Sequence, residues 1–146
     1  MSDTGCCIRD AELNDAPELA VLMCELGYET TRTAMETRLR LILSDPAYKT
    51  FVAVMDGCVC GMIGTLTYPS YEHDDPSGRI LALVTLSAAR RRGIGRALIA
   101  TAEKDFAQRR IMRVALDARF TREDAHKFYE SLGYERNGWR FVKQLQ

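Results

Sequence analysis

The residues best equipped for chemistry lie in Arg90-Arg-Arg-Gly-Ile-Gly-Arg-Ala-Leu98, where two glycines stand among four arginines. Upstream is Arg79-Ile-Leu-Ala-Leu-Val-Thr-Leu86, a short apolar run that reads as a buried strand. Downstream, Ile94, Leu98, Ala102 and Phe106 recur every four residues, the apolar face of a helix. A strand, turn and helix in this order offer unpaired N–H groups at the positive end of the helix dipole. Such a turn suits a phosphate. Gly93 and Gly95 lack a Cβ and let an anion approach the backbone. Two familiar phosphate loops are excluded by spacing. A dinucleotide fingerprint needs a glycine where Leu98 stands, and a nucleoside-triphosphate loop needs Gly-Lys-Ser/Thr where Gly95-Arg96-Ala97 stands.

Other chemistry-bearing groups are more scattered. Tyr71-Glu72-His73-Asp74-Asp75 reads as a solvated acidic loop, or as a lid in which Glu72, His73 and Asp74 attract a cationic amine. His73 beside two aspartates is a weak metal pattern without further ligands, and no metal is expected. Tyr28 and Glu29 fall between two helical segments, in a connection that is either a surface loop or a pocket wall. The cysteines are Cys6, Cys7, Cys24, Cys58 and Cys60, an odd number with no Cys-x-x-Cys and only two histidines to help them. Free thiols in a reducing cytosol are expected. Cys58 and Cys60 alternate on one strand and share a face.

The elements that must position these groups follow in chain order. Residues 6–10 form a first strand, and Asn14-Asp15 offers a cap for a helix that tolerates Pro17 in its first turn. Leu19, Leu22, Met23 and Leu26 make its apolar face, and Gly27 ends it. A second helix covers residues 33–43, with Met35, Leu39, Ile42 and Leu43 inward, and Asp45-Pro46 stops it. Strand 50–55, the Asp56-Gly57 turn and strand 58–68 make a hairpin, interrupted by Gly61 and Gly64. After the central strand, loop and helix come a strand at 113–117 and a short helix at 124–132. A strand-like segment from Tyr134, an Asn137-Gly138 turn and an alternating run at 139–145 close the sheet. The order β-α-α-β-β-β-α-β-α-β-β gives an α/β fold with one mixed, twisted sheet.

Composition narrows the function. Apolar residues make up 47% and charged residues 27% of the 146, as in an ordinary globular domain, and a single domain over 1–146 is expected. Twenty basic residues balance twenty acidic ones, so no global charge draws the chain to nucleic acid or anionic membrane. No signal-peptide hydrophobic region opens the chain and no run approaches the ~20 apolar residues of a span, so a cytoplasmic location is expected.

The loop pattern Arg-x-x-Gly-x-Gly between strand and helix resembles the acetyl-coenzyme A loop of the GNAT N-acetyltransferase superfamily. Ala125-His-Lys-Phe-Tyr-Glu-Ser-Leu-Gly-Tyr134 resembles a second motif of that superfamily, and the resemblance covers nearly the whole chain. Asp56-Gly-Cys-Val-Cys-Gly-Met-Ile-Gly64, Arg122-Glu-Asp-Ala-His126 and Phe141-Val-Lys-Gln-Leu145 look like bacterial aminoalkylphosphonate N-acetyltransferases and their small-amine-acetylating relatives.

The resemblance implies the GNAT acyl-CoA N-acyltransferase fold, acetyl-CoA as co-substrate, and a small primary amine as acceptor. It leaves room for a homodimer. It implies that Leu83, Val84 and Thr85 bond the pantetheine arm through their backbone. Arg91, Arg92, Gly93, Ile94, Gly95 and Arg96 would then give N–H groups to the pyrophosphate. Tyr129 matches the tyrosine that donates to the coenzyme A sulfur; by spacing alone it is a core aromatic. The chain also departs from its relatives. Ala82 stands where many carry a proton-relaying glutamate, and Arg122 stands where many carry an asparagine. Glu72, His73, Asp74, a water chain or an acceptor bound neutral could each dispose of the proton. The rival activities are acetylation of a protein N-terminus or lysine, and acyl-CoA binding without turnover.

Overall fold

A computed structural model of the chain describes residues 5–118 and 123–145, and these form two compact units, 1–115 and 116–146. The first unit begins with β1 (Cys6–Asp10), followed by helices α1 (Ala16–Leu26) and α2 (Arg32–Leu43). Strands β2 (Tyr48–Met55), β3 (Cys58–Tyr68) and β4 (Ser77–Thr85) come next, then helix α3 (Ile94–Gln108) and the short β5 (Val114–Leu116). The sheet order is β1-β2-β3-β4-β5, antiparallel through the first four. The helical crossover from β4 to its neighbour β5 is the connection a parallel pair requires.

Both faces of the sheet are covered, so consecutive rather than alternate residues are buried in mid-strand, Val52 and Ala53 in β2 and residues 59–63 in β3. On one face α1 and α2 present Leu19, Leu22, Met35 and Leu39 to Val52, Val59, Met62 and Val84. Leu19 and Leu22 are fully buried, which stabilises the fold by about 1.5–3 kcal/mol for each side chain. On the other face α3 buries Ile94, Leu98, Ile99, Ala102 and Phe106.

Several sequence expectations are corrected in detail. Asp15 precedes α1, yet its carboxylate does not cap that helix. It is buried and accepts from Arg9 Nη1 and Nη2 at 2.8 Å each and from the Glu12 N–H at 2.7 Å, tying β1 to the turn before α1. Leu43 faces outward at the last turn of α2, 40% exposed. Cys60 is buried and Cys58 exposed, because a bulge beside Ala53 and Val54 breaks the alternation of β3. None of the five cysteines is in a disulfide.

The second unit holds helix α4 (Glu123–Ser131), ended by Gly133 at φ 93°. The two closing strands expected beyond it are not formed: residues 134–145 carry no ladder. Their alternation is imperfect, with Lys143 on the Trp139–Phe141–Leu145 face and Val142 on the opposite one. Trp139 and Phe141 are 74% and 91% exposed, and a bare hairpin without a covering layer is marginal in water. Arg122 lies outside the described residues.

Candidate active site

The site is built on the unequal lengths of β4 and β5. Gly78 N donates to Arg113 O at 2.9 Å, which sets the start of the pairing, and β5 then runs for only three residues against nine in β4. The Leu83–Thr85 end of β4 is therefore left without a strand partner on that edge among the described residues. A bulge adds to the divergence. Thr65 pairs with Ile80 and Gly64 with Ala82, so Leu81 is an extra residue, 48% exposed, and the strand turns at that point. The opposite edge of the same segment stays paired to β3, Met62 with Val84 and Gly61 with Thr85.

Beyond β4 the chain makes a 3₁₀ turn (Ser87–Ala89) and enters the arginine–glycine loop. Arg91 and Gly93 both have positive φ, 66° and 77°. Gly93 adopts it freely, whereas for Arg91 it is an uncommon and strained choice. Left-handed residues set into such a run are the backbone feature from which anion-binding nests are built. The first helical bond of α3 runs from Ala97 N to Gly93 O at 3.0 Å, leaving the N–H groups of Ile94, Gly95 and Arg96 for another acceptor. Fifteen residues of α3 align their dipoles behind them. Arg90, Arg91, Arg92 and Arg96 are exposed around these groups, and Arg92 Nη1 reaches Met55 Sδ at 3.5 Å. The expected cofactor residues 83–85 and 91–96 thus come together at one end of β4.

Tyr28 lies just past the C-terminal end of α1, and Glu25 of the same helix end reaches Ser87, two residues beyond β4. Gly27 closes α1 in the left-handed region at φ 112°, and Thr30 is buried behind the connection. Thr30 Oγ1 donates to Tyr28 O at 2.8 Å, and Thr30 N donates to Cys24 Sγ at 3.4 Å. Tyr28 itself is 55% exposed. Sequence reasoning missed Glu25, whose carboxylate accepts from the Ser87 N–H at 2.7 Å and from the Ser87 hydroxyl. These bonds hold its carboxyl below the usual carboxylate range. No local pattern announces a pair 62 residues apart.

Glu72, His73 and Asp74 are not brought to that end. Their loop joins β3 to β4 before Ser77, and Leu83 is six residues further along, roughly 20 Å at 3.3 Å per residue. His73 and Asp74 instead line an open groove of about 340 Å³ with Thr67 and Tyr68. Glu72 Oε2 accepts from Ser70 Oγ at 3.0 Å. Asp75, the third member of the weak metal pattern, turns both carboxylate oxygens to Arg113 at 3.3 Å. Ala82, at the position of the absent glutamate, packs against the core beneath α1 and α2.

Tyr129 belongs to the second unit, on α4, and is half-buried. Its ring meets Phe128 and Tyr134 edge-on, with centroids 5.4 and 6.2 Å apart. The chain returns over it through a bond from Tyr134 N to Tyr129 O at 3.1 Å.

The open edge of β4 follows the bulge at Leu81 and leads into the N–H groups at the start of α3, and comparison with known proteins gives the chain a family. The acetyltransferase (GNAT) family model matches residues 16–134, and the chain belongs to that family. The aminoalkylphosphonate N-acetyltransferase of Salmonella typhimurium is 33% identical over 141 residues, covering 96% of this chain and 92% of that protein. A GNAT family acetyltransferase of Staphylococcus aureus superposes with a TM-score of 0.83 at 26% identity, over 97% and 99% of the two chains. An aminoglycoside N-acetyltransferase solved with CoA shares the fold, with a TM-score of 0.85 at 19% identity over 97% and 95%. This chain is thus an acyl-CoA-dependent N-acetyltransferase, with acetyl-CoA as co-substrate. Among the described residues no helix is long and apolar enough to cross a membrane.

Proposed function

We propose that the enzyme moves the acetyl group of acetyl-CoA to the primary amine of a small molecule, by direct attack while both substrates are bound. The observation that carries this reading is the unpaired Leu83–Thr85 edge of β4 opening beside the orphan N–H groups of α3. The backbone of residues 83–85 pairs with the pantetheine arm, and the N–H groups of residues 91–96 hold the pyrophosphate. An extended arm fixed at both points presents its thioester carbon in a defined place. Such positioning lowers barriers by several kcal/mol, on the order of 7–11 in favourable intramolecular models. The match to a relative acting on aminoalkylphosphonates supports a small amine as acceptor.

The amine nitrogen forms a bond to the carbonyl carbon, and the C–S bond breaks. Tyr129 protonates the departing sulfur and regains its proton from solvent; a phenol, with reference pKa about 10, carries that proton at neutral pH. The acceptor's own proton goes to water, because Ala82 offers no base and Glu72, His73 and Asp74 belong to the far end of β4. Tyr28, exposed on the connection beside the cofactor end, contacts the acceptor. The family model crosses both compact units, which supports one catalytic domain over the chain. Release of free thiol from acetyl-CoA tests the reading, across an aminoalkylphosphonate, an aminoglycoside and a peptide with a free N-terminus. Small-amine turnover is expected. Turnover of the peptide alone would refute the acceptor class.

A further inference from the structure

One carboxylate joins the helix pair to the strand–loop junction, from outside the loop motif itself. Glu25 lies in the last turn of α1 and accepts two hydrogen bonds from Ser87, from its N–H at 2.7 Å and from its hydroxyl. Ser87 begins the 3₁₀ turn that leads from β4 into the loop, and its carbonyl accepts from Arg90 N at 3.3 Å. The Arg90 guanidinium also approaches Glu25, at 3.9 Å. The turn is pinned on its other flank, where Leu86 N donates to Cys60 O at 2.8 Å. Between Leu86 and the start of α3, the loop backbone is therefore held to β3 at Leu86 and to α1 at Ser87, besides the side-chain contact of Arg92 with Met55 on β2. The hold at Ser87 depends on Glu25.

We propose that Glu25 is a positioning residue for the acyl donor: it latches the start of the pyrophosphate loop to α1. The inference rests on the proposed site. The strained Arg91 conformation needs such a hold, because a loop freed at Ser87 can relax its positive φ and scatter the N–H groups that converge on the anion. Glu25 touches neither substrate in this arrangement. Its effect falls on donor affinity and much less on kcat.

Calorimetric titration with acetyl-CoA, steady-state kinetics and thermal melting test this on the full chain. Glu25→Ala should weaken acetyl-CoA binding about five- to tenfold and raise its KM in proportion, with kcat within about twofold of wild type. Glu25→Gln keeps a carbonyl oxygen to accept from both Ser87 donors, so it should bind within about twofold of wild type. A contact that merely stabilises α1 would lower the melting temperature of Glu25→Ala and leave its acetyl-CoA affinity unchanged, and that result overturns the latch. If Glu25→Ala fails to fold, Ser87→Ala takes its place. It retains the backbone bond and loses the hydroxyl, so two- to threefold weaker binding is expected, and wild-type binding overturns the proposal. A wild-type chain that does not bind acetyl-CoA would overturn the site assignment itself, whatever the variants do.

Discussion

Gly61→Ala probes the packing that carries the proposed cofactor loop. Gly61 faces Thr85 across the β3–β4 ladder and lies beneath the first turns of α3. A Cβ at this position would stand 3.2 Å from Ile94 Cγ2, from Leu98 Cδ1 and from Val84 O. Carbon contacts are optimal at about 3.5–4.0 Å, so the neighbours must give by a few tenths of an ångström. Val84 O belongs to β4 and is held by the sheet. Ile94 and Leu98 are 1% and 0% exposed and have no space to turn into. The first turn of α3 is what must lift. Overpacking of this sort costs about 1–3 kcal/mol, offset by about 0.8 kcal/mol for one more buried carbon. The net loss is then about 0.2–2.2 kcal/mol, which lowers the melting temperature of a chain this size by roughly 1–7 °C. The Ile94 N–H moves with the turn, so acetyl-CoA should bind several-fold more weakly. Thermal melting and calorimetry on the purified variant measure both effects. A melting temperature within about a degree of wild type, with unchanged affinity, would show that α3 does not rest on Gly61 and would refute the reasoning.

Tyr129→Phe keeps the ring against Phe128 and Tyr134 and removes the hydroxyl, so kcat should fall about 10²–10⁴-fold with folding intact. Wild-type turnover would end the acid role. Asp15 holds its carboxyl below the usual range, first through its hydrogen bonds from Arg9 and then through the Glu12 N–H, with burial opposing. A depressed folded value gives stability that is present above the unfolded value of roughly 3.9 and lost as pH falls through the folded one. Urea melts should show Asp15→Asn about 1–3 kcal/mol less stable at pH 7, the gap closing below about pH 4. A gap constant into acid would refute that assignment. Replacing Glu72, His73 and Asp74 singly by amide or alanine should change kcat less than twofold or so, while the pH–rate profile rises toward the acceptor's own amine pKa. A large kcat loss in any one, with melting unaltered, would place the base on that loop.

The sequence by itself determined what local periodicity and local chemistry can encode. The four-residue recurrence from Ile94 to Phe106 specified α3, and the paired glycines before it marked a turn fit for an anion, because both signals are complete within one stretch. Asp56-Gly57 likewise set the β2–β3 hairpin, and Asp56 takes φ 53° there. Asp15 was legible as a helix-start residue, but its bond to Arg9 was not, since any nearby donor competes for a capping carboxylate and only packing decides the winner. The closing run at 139–145 shows the limit most plainly. Alternation states which residues could share a face, yet a strand exists only when a neighbour accepts its backbone bonds. The same limit hid Glu25 and placed Glu72, His73 and Asp74 away from the proposed cofactor end. Where a side chain acts depends on which end of a 9-residue strand it meets, and that is fixed by register and crossover. Those are long-range pairings, with cost and gain spread over the whole sheet, so tertiary structure alone decided them.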